Sequence, residues 1–121
     1  MKQEKINRAH ESLTKLSHFN LPVKKAYAIY KLVQTVDDSY QFAMLEEQKY
    51  LKEYNGTPSA DGTVTFATPD DCQNFKNMLD ELLATDADLK FDVVKLSESD
   101  LGEQRLTPAD IHNLEGFVEF V

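Results

Sequence analysis

From Pro22 to Tyr54 the chain has no Gly and, after its first residue, no Pro; Asn55-Gly56 follows at once. Ala26, Ile29, Val33, Val36, Tyr40, Ala43, Tyr50 and Tyr54 fall on a nearly continuous three-to-four spacing. Period and punctuation together predict a single helix. At a rise of about 1.5 Å per residue it would be roughly 50 Å long. That exceeds the breadth of a compact domain of 121 residues. Part of the helix must therefore project, bend or pack against something else.

Upstream, Ile6, Ala9, Leu13 and Leu16 make a narrow apolar stripe on a helix expected over 3–17. Ser17-His18-Phe19-Asn20 is a short link, so the two helices should form an antiparallel hairpin, with Asn20 as a cap and Pro22 in the first turn. The first helix covers less than half of the second at about 20 Å. On the remainder, Tyr40, Phe42, Met44, Tyr50, Leu51 and Tyr54 are large and spread over more than one face. Two readings are open there: two apolar faces, one for the chain's own core and one for another chain, or tyrosines half-exposed with their hydroxyls in water. Tyr40, Met44, Tyr50, Leu51 and Tyr54 form the candidate interaction surface.

After Asn55-Gly56, residues 57–62 predict a loop, with Pro58 limiting anything extended there to a short edge strand. Thr63 to Ala67 predicts a strand. Thr68-Pro69-Asp70-Asp71 opens a helix that runs to about Ala84, burying Cys72, Phe75, Leu79, Leu82 and Leu83. A second strand is expected over 89–96, its pairing with the first left open between parallel and antiparallel. Residues 97–105 predict a loop. Leu106-Thr107-Pro108-Ala109-Asp110-Ile111 starts a last helix, with Leu106 and Ile111 as its staple. That helix should bury Ile111, Leu114, Phe117 and Val118, and the final Val121 should dock. The expected class is α+β and mainly helical: one long-helix hairpin, a two-stranded sheet and two further helices. The length fits a single domain over 1–121, made of a hairpin (1–56) and a strand-helix-strand-helix portion (57–121).

Charge divides the chain. Its net charge is -8. Residues 1–31 carry seven basic and two acidic side chains, net +5; residues 55–121 carry four basic and fourteen acidic, net -10. Such a chain is unsuited to broad nucleic-acid binding, although its basic helices could touch a strand locally. It could present an acidic face to a basic partner, or a basic helix to an acidic one. No run is long and apolar enough for a membrane helix, and the amino-terminal residues do not read as a secretory signal. Cys72 is the single cysteine, which points to a cytosolic setting.

No chemical motif emerges. Asp86 to Asp92 has the acid spacing of a calcium loop, but Phe91 stands where glycine is needed and Ser97 where a bidentate Glu is needed. His10, His18 and His112 lack partners at ligand spacing. Cys72 lies on an apolar helix face. Neither a metal, a cofactor nor an enzymatic activity is expected.

Leu13-Thr14-Lys15-Leu16, then Leu21-Pro22-Val23-Lys24-Lys25-Ala26-Tyr27, Lys31 and Tyr54-Asn55-Gly56 form a pattern. Together with Glu81-Leu82-Leu83 and Leu106 to Asp110, it resembles a family of small proteins of unknown function. The family occurs in phages and prophages of low-GC Gram-positive bacteria. The resemblance implies a phage origin and expression in a bacterial cytoplasm, and transfers no site residues. The expected role is a non-catalytic protein-protein interaction or virion-assembly accessory module. Its partner would be a phage or host protein, or a second copy bound through the long helix. The alternative is a small acidic inhibitor of a host nucleic-acid-binding protein.

Overall fold

The computed structural model describes residues 1–121. Helix α1 (Gln3–Ser17) and helix α2 (Val23–Glu53) form the hairpin, and α2 is one unbroken helix of 31 residues. β1 (Gly56–Pro58) and β2 (Val64–Phe66) follow as an antiparallel pair, then α3 (Pro69–Ala84). The chain continues through β3 (Val94–Leu96), the one-turn α4 (Glu98–Leu101), α5 (Pro108–Asn113) and β4 (Val118–Phe120). The α+β, mainly helical class holds, with three further helices and two separate pairs of strands.

The two strands expected from the sequence do not pair with each other. Gly56–Pro58, the only extended chain that the Pro58 argument permitted, turns back on Val64–Phe66. Asp61 closes the turn. It accepts from the Ser59 hydroxyl at 2.7 Å and the Thr63 amide at 3.1 Å, which hold its carboxyl down to about 2. β3 instead lies parallel to β4, Val94 opposite Val118 and Leu96 opposite Phe120. The last helix is thus shorter than expected. Gly116 takes φ 85°, a left-handed value in the turn of residues 114–117 that follows α5, after which the chain is extended from Val118. Against expectation Ile111 is exposed and the Val121 side chain lies in solvent; only the Val121 amide docks, on the Leu96 carbonyl at 2.9 Å.

The caps are mostly where the sequence puts them. Thr68 accepts from the Asp71 amide, and Thr107 with Asp110 makes a full capping box. A second box, Ser97 with Asp100, builds α4 where a loop was expected. Asn20 does not cap α2. Its amide donates to Gln104 Oε1 at 2.6 Å and its carbonyl accepts from Gln104 Nε2 at 3.0 Å, which ties the hairpin bend to the chain before α5.

Twelve buried residues make the core: Ile6, Ala9, Leu13 and Leu16 of α1; Ile29, Leu32 and Val36 of α2; then Val94, Leu96, Leu114, Phe117 and Val118. The hairpin's first half is therefore closed by the carboxyl-terminal segment. The far half of α2 is covered by β1 and α3, with Phe66 packed on Phe75 at 5.2 Å between ring centres. Gly56 sits at the tightest point of that cover. A Cβ there would lie 2.8 Å from Leu51 Cδ2 and 3.0 Å from Phe66 Cε1. Gly56→Val should lower stability by about 1–3 kcal/mol through overpacking, read as a lower urea midpoint. An unchanged midpoint would mean that Leu51 and Phe66 swing aside freely.

Candidate functional site

All five residues of the expected interaction surface are half-buried. Tyr40 stacks on the His10 ring, centroids 3.8 Å apart and planes within 5°. Tyr50 donates its hydroxyl to Glu46 at 3.4 Å, and burial, aided by that carboxylate, raises its pKa. Leu51 packs beside Gly56. The apolar side chains that α2 leaves exposed are different ones: Phe42 and Leu45 near its middle, and Val23, Tyr27 and Tyr30 near its start.

A groove opens beside that second group. It has a volume of about 670 Å³ and runs between the first three turns of α2 and residues 90–95. This lies within the range of small-molecule and cofactor pockets, about 300–1,000 Å³. Five lysines line it, Lys24, Lys25, Lys31, Lys90 and Lys95, against one acid, Asp92. Those are five of the thirteen basic side chains in a chain of net charge -8. Such a concentration is the opposite of what the average composition would place there.

Helical geometry explains one wall. Lys24 and Lys31 are seven residues apart, two turns, so they share a face, and Tyr27 lies between them. Lys31 Nζ sits 4.8 Å from the centre of the Tyr27 ring, a cation-π contact. Tyr30 lies alongside, ring centres 6.4 Å apart, and its hydroxyl accepts from Gln34 Nε2 at 2.8 Å. The opposite wall is the chain entering β3. Val94 and Leu96 point into the core, leaving Val93 and Lys95 exposed. Phe91 roots this wall by stacking on the buried Phe117 at 5.1 Å. Lys25 crosses the floor and donates from Nζ to the Lys95 carbonyl. It also helps to hold the Asp100 carboxyl below its ordinary pKa, an effect due chiefly to the Ser97 amide.

The sequence hid this site because its halves are nearly sixty residues apart. Lys90 and Lys95 belong to the acidic part of the chain and count as a minority there. The readable signal was the Lys24, Tyr27, Lys31 face.

A second concavity, about 500 Å³, lies between the start of α1 and the end of α5. Its charges are mixed: Arg8 is paired with Glu4, and Glu115 faces the same space as Lys2 and Lys5. Asp100 and Asp110 cap helices, Asp61 closes a turn, and no three His, Cys, Asp or Glu side chains converge at ligating distance. No helix is long and apolar enough to cross a membrane. Comparisons with protein-family models, curated proteins and solved structures give no match.

Proposed function

We propose that this chain is a non-catalytic protein-binding module of phage origin, serving virion assembly or an accessory step in a bacterial cytoplasm, and that the lysine-lined groove is its docking surface. The observation that carries this reading is the five-lysine lining in a net-acidic chain. Opposite charge selects the partner and speeds its arrival, while the acidic remainder repels other anions, phosphate backbones included. The partner is therefore a protein with an acidic segment. The sequence resemblance supports the phage setting. The acidic-inhibitor reading gains less support: Asp61, Asp100 and Asp110 are committed to a turn and two caps, whereas five lysines line one groove.

Lys24, Lys31 and Lys90 are exposed, so reversing them leaves the core untouched. The triple variant Lys24→Glu, Lys31→Glu, Lys90→Glu should bind a fluorescent ten-residue Glu-rich peptide at least tenfold more weakly than the parent at low salt, with an unchanged circular dichroism spectrum. Equal binding by the two proteins, or none by the parent, would remove the groove as the docking surface.

A further inference from the structure

Resting on the groove as the docking surface, we infer that its occupant is an extended acidic peptide that adds as a strand to the outer edge of β3, taking over the Lys95 carbonyl from Lys25.

β3 joins β4 through bonds such as Val94 N–H to the Phe117 carbonyl at 3.1 Å and Val121 N–H to the Leu96 carbonyl at 2.9 Å. In a parallel pair, backbone groups of alternate residues point to opposite sides. With Val94 and Leu96 facing β4, the amide and carbonyl of Lys95 between them face away from it. The pair has two strands only, so no protein strand occupies that outer side. The groove does: its lining contains all six residues from Lys90 to Lys95. The Lys25 contact agrees with this direction: its Nζ, carried on α2, donates to the Lys95 carbonyl.

An open strand edge is a template for another strand, and proteins commonly guard such edges with lysine. Lys25 fills that role while the groove is empty. It supplies one donor to the carbonyl that an incoming strand's amide would otherwise reach. Its stem is flexible and its ammonium compact, so it can leave without disturbing α2. Once displaced, it stands beside the peptide with Lys24, Lys31, Lys90 and Lys95, and only Asp92 opposes a carboxylate there. Main-chain pairing would give affinity, and the lysines would select acidic side chains. Tyr27 and Val93, 58% and 48% exposed, offer apolar contact at the two walls. A single-stranded nucleic acid would also meet lysine and tyrosine, but it has no use for a peptide edge.

The test follows the Lys95 amide in the full-length chain by hydrogen exchange, with the ten-residue Glu-rich peptide as probe. The peptide should slow Lys95 exchange at least tenfold. The same peptide N-methylated at alternate residues keeps its charge but loses strand donors, and should bind at least tenfold more weakly. If the N-methylated peptide binds equally and Lys95 is unprotected, while the triple charge reversal still abolishes binding, strand addition is wrong and the groove survives as a charge-only site. Tighter binding of a ten-nucleotide oligothymidine than of the peptide would replace the occupant by nucleic acid. Lys95 protection that rises with protein concentration, without peptide, would put a second copy of this chain there instead. Absence of peptide binding by the parent would bring down the groove reading itself.

Discussion

Phe117→Ala is expected to destabilise the fold by about 3–5 kcal/mol, the usual range for emptying a buried aromatic site. Phe117 is the largest fully buried side chain. It stacks on Phe91 with planes 14° apart, and its carbonyl receives the Val94 amide that opens the β3–β4 ladder. Truncation therefore leaves a void among α1, α2 and β3, and removes the support of one groove wall. Natural domains hold only about 5–15 kcal/mol in total, so the variant should be partly unfolded near 37 °C. Urea unfolding should show a much lower midpoint with a similar slope. Phe120→Ala, 37% exposed, serves as the contrast and should lose less than about 1 kcal/mol. Similar losses for both would mean that the core is not built around Phe117.

Asp110 is the second sensitive point, and its effect is expected to depend on pH. One carboxylate accepts from the Ser12 hydroxyl at 2.9 Å, Lys15 Nζ at 2.7 Å, and the amide and hydroxyl of Thr107 at 3.1 and 3.0 Å. Its side chain is only 14% exposed. It thereby caps α5 and fastens it to α1. The Lys15 ammonium first, then the Thr107 amide and the Ser12 hydroxyl, hold its pKa well below the ordinary carboxylate range. The ionised form is the one the fold prefers. Its contribution is complete above the unfolded-state pKa of about 3.9 and is lost as pH falls below that toward the lower folded-state value. Asp110→Asn should cost about 2–3 kcal/mol, as expected for a cap and charged hydrogen bonds lost together. The gap between parent and variant should stay level from pH 8 to 5 and narrow below about pH 4. A gap that widens in acid would show that the neutral carboxyl is preferred.

The helical half of this chain was readable because its signals are local. The expected 3–17 and 22–54 became Gln3–Ser17 and Val23–Glu53, and the Thr68 and Thr107 caps sit in place. What failed to read was long-range. Leu114, Phe117 and Val118 have helical spacing, and that period outweighed Gly116, the left-handed residue in the turn that follows α5. The Ser97–Asp100 box lies within an acidic run that carries no apolar period to mark a helix. Strand partners could not be chosen from three-residue segments whose backbones, rather than their side chains, do the pairing. Ser12 and Gln3, polar and buried in the apolar stripe of α1, gave no warning. Ser12 is explained by Asp110 and Gln3 by Ser39, both distant in sequence. The groove suffered likewise: a lysine pair counted against fourteen acids in one half looks like noise until folding sets it opposite three lysines of the other.

The parallel pair has a thermodynamic side. Two strands of three residues have little stability of their own, and their register depends on a loop of more than twenty residues closing between Leu96 and Val118. Segments of that kind open more readily than the helices behind them. A ligand that pairs with the outer edge of β3 binds only the closed form, and so it stabilises that form in proportion to its free concentration. Order in the carboxyl-terminal strand and occupancy of a groove on the far side of β3 are then one linked equilibrium, although β4 touches nothing in the groove.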